Sequence, residues 1–89
     1  MPQVEIPPPY RGPTAGEARI DVEGATIGEC LKAVGDRYVG FAEQIFDTTG
    51  RVHRFVSLFV NGDEIDRNAL DTPVADGDEV RILAAIGGG

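Results

Sequence analysis

The residues that invite chemistry stand together at one end of the chain. Ala84-Ala85-Ile86-Gly87-Gly88-Gly89 follows a strand-like run, Glu79-Val80-Arg81-Ile82-Leu83. Glycine lacks a Cβ and populates both signs of φ, so three in a row predict a thin, flexible thread. Such a thread adds nothing to a core, but it passes through a channel too narrow for a branched side chain. At its tip is the α-carboxylate of Gly89. The expectation is a carrier whose terminal carboxyl is the reactive group. The plainer readings are a frayed chain end or a cloning scar. A carboxylate is a poor acyl donor until one oxygen becomes a leaving group.

Other reactive residue types are sparse. Cys30 is the single cysteine, which excludes an internal disulfide and a cysteine-ligated cluster within one chain. It falls on the apolar face of a helical segment and reads as a small hydrophobe. His53 is the only histidine, so no histidine pair exists for a metal. It reads as a solvated or backbone-bonded residue at the foot of a strand, with a tuning role in docking as the alternative. The carboxylates are many but scattered. No resident cofactor or metal is expected, and the chain reads as a carrier, not an enzyme. With 15 acidic and 8 basic residues the formal charge is −7. That argues against nucleic acid, which requires a basic footprint, and for steering toward a basic patch on a partner. No apolar run approaches the roughly 20 residues of a membrane span, and the N-terminus lacks the pattern of a signal peptide. A cytoplasmic location is the expectation.

The elements that must position the tail can be read along the chain. Val4-Glu5-Ile6 alternates, predicting a first strand over 2–7 that Pro7-Pro8-Pro9 ends. A Pro/Gly loop over 8–16 leads to a second strand, Ala18 to Val22, which Gly24 breaks. Thr26 is a good N-cap with Glu29 at capping-box spacing, predicting a helix. Its apolar face is Ile27, Leu31, Val34 and Tyr38, with Cys30 and Val39 beside them. Phe41, Ile45 and Phe46 suggest a short second helical turn, and Asp47-Thr48-Thr49-Gly50 a loop. Residues 54–60 give the strongest strand signal. Asn61-Gly62 is a type I′ hairpin signal leading into a return strand, Asp63-Glu64-Ile65. Leu70 and Val74 read as core plugs in an irregular stretch, and Asp76-Gly77-Asp78 turns into the last strand, 79–84. The order β-β-α-β-β-β predicts an α+β, β-grasp (ubiquitin-like) fold: a mixed sheet of about five strands on one main helix, with strand one beside the last strand in the middle. Residues 1–84 form the domain and 85–89 the glycine tail.

On the third strand, Val56, Leu58 and Val60 share one face, and Phe55, Ser57 and Phe59 the other. The Val-Leu-Val set suits the helix-packed side. Phe59 would then face outward together with Leu83, forming an apolar patch near the tail root, a partner surface by default unless the 8–16 loop covers it. Arg51 and Arg54 flank this strand as solvated edge charges or partner contacts.

These residues resemble the ubiquitin-like sulfur carrier proteins, which include the thiamine-pathway carrier and the small subunit of molybdopterin synthase. The marks are Val60-Asn61-Gly62, Ala75-Asp76-Gly77-Asp78-Glu79-Val80-Arg81-Ile82 and the closing Gly88-Gly89. A closer likeness, across nearly the whole chain, is to the carrier of thiocarboxylate-dependent cysteine biosynthesis. It rests on Ile6-Pro7, Arg11 with Thr14 and Gly16, Thr26 with Gly28, Tyr38 with Gly40, Asp47, His53-Arg54-Phe55-Val56, and Leu83 to Gly89. Gly87 stands where a small residue such as alanine is usual, and Ala84 where proline is common. The resemblance implies that Gly89, next to Gly88, is adenylated by an E1-like ATP-dependent activating enzyme and converted to a thiocarboxylate. A pyridoxal-phosphate-dependent cysteine synthase would take the sulfur onto an activated serine, and a metal-dependent peptidase would release cysteine. Phe59, Leu83, Ile86, Gly87 and Arg54 would be the partner-binding residues. Sulfur delivery to molybdopterin or thiamine synthesis, conjugation to proteins through Gly89, and a plain interaction module remain open alternatives at this point.

Overall fold

A computed structural model describes residues 1–84 of the 89. Five strands are present: β1 Gln3–Glu5, β2 Arg19–Asp21, β3 Val56–Val60, β4 Asp63–Ile65 and β5 Glu79–Ala84. They form one mixed sheet in the order β2-β1-β5-β3-β4. β1 and β5 pair in parallel, and the other neighbours are antiparallel. Helices α1, Ile27–Arg37, and α2, Phe41–Ile45, fill the connection from β2 to β3. This is the β-grasp arrangement, with the last strand central.

Alternation along the strands sends Val4, Ile20, Val56, Leu58, Val80 and Ile82 to one face, where all are buried. Against them pack Ile27, Cys30, Leu31 and Val34 of α1 and Phe41 and Ile45 of α2. The N-cap operates as its sequence suggests. Thr26 Oγ1 accepts from the Glu29 amide at 3.2 Å, and Glu29 Oε1 accepts from the Ala25 amide at 2.9 Å. Gly28 is required by packing. Its amide donates to the Leu70 carbonyl at 2.8 Å, and a Cβ there would stand 3.1 Å from that oxygen. The 66–75 stretch is thereby tied to the start of α1, with Leu70 and Val74 against the core. Among the described residues, no helix is long and apolar enough to cross a membrane.

Two expectations are corrected, and the 8–16 loop gains a role. Val39 is not beside the apolar face but 95% exposed. The helix stops at Arg37 and Tyr38 turns to an extended conformation (φ −124°, ψ 109°), which takes the next residue off the helical face. Arg54 and Phe55 precede the strand, because the Val56 amide donates to the His53 carbonyl at 3.0 Å and closes a turn there. The 8–16 loop contains a 3-10 turn, Pro8–Tyr10, and it plugs the core: Tyr10 is buried. Pro13 stands close to Gly40, between the helices.

Candidate functional site

The approach to the tail is β5. Its first half is gripped from both sides: Glu79, Val80 and Arg81 align with Gln3, Val4 and Glu5 of β1, while Val80 to Ala84 align with Val60 to Val56 of β3. Beyond Arg81 no residue of β5 has a register partner on β1, and β3 continues alone to Ala84. The Asn61 amide donates to the Glu79 carbonyl at 2.8 Å, which fixes the phase of the ladder. By alternation the amides of Arg81 and Leu83 point to β3, and those of Val80, Ile82 and Ala84 to the β1 side. Pro7-Pro8-Pro9 takes β1 away there, and the Pro7 carbonyl accepts instead from the Tyr10 amide at 2.9 Å.

The start of β5 is pinned by a polar clasp. Asp78 accepts from the Ala75 amide at 2.8 Å and from the Asn61 side chain at 3.0 Å. The Asn61 side-chain oxygen accepts from the Glu79 amide at 2.9 Å. These bonds, the Ala75 amide first and then Asn61, hold the Asp78 carboxyl below its ordinary value. Asn61 (φ 51°) and Gly62 (φ 89°) both take the left-handed region that the β3–β4 hairpin needs.

The outer face of the sheet carries a row of registered residues, Arg19, Glu5, Arg81, Phe59 and Glu64. Arg81 Nε lies 3.5 Å from Glu5 Oε2. Phe59 faces outward but is half-buried. Arg81 and Glu64 stand directly opposite it on the flanking strands, and side chains in such positions are in reach of each other. Leu83, opposite Ser57 and diagonal to Phe59, is 41% exposed. The structure therefore brings Phe59 and Leu83 onto one face with Leu83 the more open. Ile86, Gly87, Gly88 and Gly89 lie outside the described residues.

Arg54 is exposed on the turn before β3, at the end of the sheet where Val56 aligns with Ala84. Next to it Phe55 is 44% exposed, and its ring stacks on His53 with centroids 4.7 Å apart and planes 13° apart. His53 is thus a ring partner as well as a backbone donor, to the Ile45 carbonyl at 2.9 Å. The loop below is ordered by Asp47, whose Oδ1 accepts from the Thr49 hydroxyl (2.6 Å), the Thr49 amide (2.8 Å) and the Arg51 amide (3.1 Å). The Thr49 hydroxyl bond foremost, with the two amides, holds its carboxyl below the ordinary value. Arg67 closes the same hollow from the 66–75 stretch. Sequence reading missed Arg67 and the Phe55–His53 stack. The isolated Arg67 carries no local signal, and Phe55 was hidden by its apparent membership of the strand. Cys30 is fully buried, and desolvation raises its thiol pKa. It takes no part in the site. Among the described residues, no group of acidic, histidine and cysteine side chains is placed to hold a metal.

Comparison with known proteins places this geometry in context. The sulfur carrier protein CysO of Mycobacterium tuberculosis is 36% identical over 89 residues, covering 97% of this chain and 96% of that protein. The crystal structure of that organism's CysO superposes with a TM-score of 0.86 at 34% identity, over 97% of this chain and all of the other. A chain in the crystal structure of the Amycolatopsis orientalis BexX/CysO complex gives a TM-score of 0.89 at 32% identity, with both chains covered in full. The model of the ThiS family matches residues 9–89, and with a match of that extent the chain belongs to the ThiS family.

Proposed function

We propose that this protein is a sulfur carrier in which residues 1–84 form the docking body and 85–89 the reactive tail. The carboxyl of Gly89, following Gly88, is adenylated by an E1-like activating enzyme at the expense of ATP. A sulfur donor then displaces AMP and leaves a thiocarboxylate. Phe59, Leu83 and Arg54, with Ile86 and Gly87 on the tail, dock the partners. The chain supplies the acyl group and the surface and performs no catalysis. The observation that carries this reading is the end-to-end likeness to a protein named as a sulfur carrier, at 36% identity. The same likeness supports cysteine synthesis as the destination, with a pyridoxal-phosphate-dependent synthase and a metal-dependent peptidase as the later partners. That a relative of the same fold forms a complex with a second protein supports docking as the body's role.

The test is intact mass. Untagged protein, incubated with an activating enzyme, ATP and a sulfide source, gains the mass of one oxygen exchanged for sulfur. Removal of Gly88 and Gly89 abolishes the gain and leaves the melting temperature in place. No exchange in the untagged, full-length protein overturns the reading. Mixing the thiocarboxylate form with the synthase and an activated serine yields a carrier bearing one added cysteine. Sulfur passing instead only to a molybdopterin or thiazole precursor reassigns the destination.

A further inference from the structure

One region of this acidic protein has the opposite sign. Arg51, Arg54 and Arg67 line a groove of about 330 Å³ together with His53, Phe55 and Asp47. A second hollow of about 430 Å³ adjoins it and shares Arg51 and Arg67. The groove's arginines and its one carboxylate sum to +2. The remaining five basic and fourteen acidic residues of the chain sum to −9. Among the described residues, none of the three arginines has a carboxylate within ion-pair distance. The three ion pairs among the described residues are Met1–Asp76, Lys32–Asp36 and Arg81–Glu5. Two nearby carboxylates are engaged elsewhere: Asp47 accepts three bonds from its own loop, and Asp66 accepts from the Asn68 amide at 2.8 Å. Glu64 and Asp66 share the next hollow with Arg67, at no ion-pair distance from it.

Guanidinium groups are planar forks that match carboxylates bidentately, and such charge-assisted pairs are among the stronger hydrogen bonds. Arginines with no carboxylate partner among the described residues, around a concavity that also shows the partly exposed Phe55–His53 stack, offer both charge and contact area. A carboxylate-bearing partner is repelled by the −9 body and drawn to this one groove, which fixes its orientation on approach. The groove flanks the turn before β3, at the end of the sheet where β5 runs out.

From this we infer that the Arg51–Arg54–Arg67 groove is a docking site for an acidic segment of a partner protein, its carboxylates on the arginines and its backbone passing over the Phe55–His53 stack. On the sulfur-carrier reading the segment belongs to an enzyme that handles the Gly89 carboxyl. Docking itself involves no sulfur chemistry, so the test below does not depend on that reading.

The experiment titrates an oligoglutamate peptide into the ¹⁵N-labelled full chain at low salt. Amide shifts confined to 51–55 and 67–68, weakening as salt rises, are expected. Arg54→Glu with Arg67→Glu weakens binding by roughly tenfold or more. Arg19→Glu, on the outer face of the sheet, leaves it within about threefold although it too adds negative charge. If Arg19→Glu weakens binding as much as the groove variants do per charge altered, attraction is to the whole molecule and the proposal fails. Shifts centred on other residues, or none, also overturn it. So does a response of the same amides to inorganic phosphate but not to the peptide, which makes the groove a small-anion site.

Discussion

Truncating Leu83 and Leu58 to alanine separates the proposed docking face from the core on neighbouring strands. Leu58 is fully buried and Leu83 41% exposed, and the two occupy opposite faces of paired strands. For Leu58→Ala the cost is lost transfer free energy plus a cavity, roughly 2–5 kcal/mol. For a domain of this size each kcal/mol moves Tm by about 4–8 °C, so a fall of roughly 8–40 °C is expected. Leu83→Ala loses only the partly buried fraction of its side chain and leaves no cavity, since water fills the space. Its cost is about 1 kcal/mol or less, a few degrees. At a docking surface the same truncation costs roughly 1–3 kcal/mol of binding, or about 5–150-fold in affinity. The assay pairs thermal melts followed by circular dichroism with titration of each untagged variant into the activating enzyme. The half-buried Phe59 is expected to show both losses in moderate amount. If Leu83→Ala melts as early as Leu58→Ala while affinity for the enzyme is unchanged, the assignment of faces to functions is wrong.

Gly28→Val places a branched side chain about 3 Å from the Leu70 carbonyl and should cost roughly 1–3 kcal/mol, read as a lowered denaturant midpoint. Asp47 and Asp78 have folded-state pKa values below the ordinary value, so the unfolded chain takes up their protons first as pH falls. Their stabilisation is full above the unfolded value of about 4 and is lost as pH drops through the lower folded values. Melts across that range should steepen there, and Asp47→Asn or Asp78→Asn should flatten the dependence. Along β5, hydrogen exchange should leave the Leu83 amide, which points to β3, protected and the Ala84 amide, which points past the end of β1, fast. Equal protection of the two would contradict the one-sided pairing after Arg81.

Local chemistry made most of the fold legible. Thr26 with Glu29, Asn61-Gly62 and Asp76-Gly77-Asp78 set their cap and turns through their own backbone neighbourhood, so those roles survive without knowledge of the tertiary structure, whereas the clasp between Asn61 and Asp78 does not. The inward set of β3 followed from period-two alternation because that strand is long enough to show it. The errors arose where a periodic signal was carried past its element. Val39 continues the helical spacing but follows a residue already extended, and Arg54-Phe55 continues the β-rich run but sits in a turn. The groove was not legible, because Arg51 and Arg67 meet only through the tie between Gly28 and Leu70 and the loop built on Asp47. No spacing in the chain encodes such a meeting.

The placement of the tail root follows from one further balance. A reactive end is best presented from a rigid element, because each residue left loose adds conformations that a partner must freeze. A strand clamped to its last residue on both sides, however, would leave no backbone for a partner to meet. β5 resolves the two demands along its length: Glu79 to Arg81 are held by both neighbours, the Ile82 amide faces the end of β1, and Leu83 and Ala84 align with β3 alone. The switch is set at a distance in sequence, by Pro7-Pro8-Pro9. Proline has no amide to continue a ladder, and the Pro7 carbonyl is turned back to Tyr10. The run therefore ends β1 and leaves the Ile82 carbonyl and the Ala84 amide without a partner on that strand. The other side remains on β3, whose preceding turn carries the arginine groove. A partner that reaches the end of β5 thus meets open backbone on one flank and the groove of Arg51, Arg54 and Arg67 on the other.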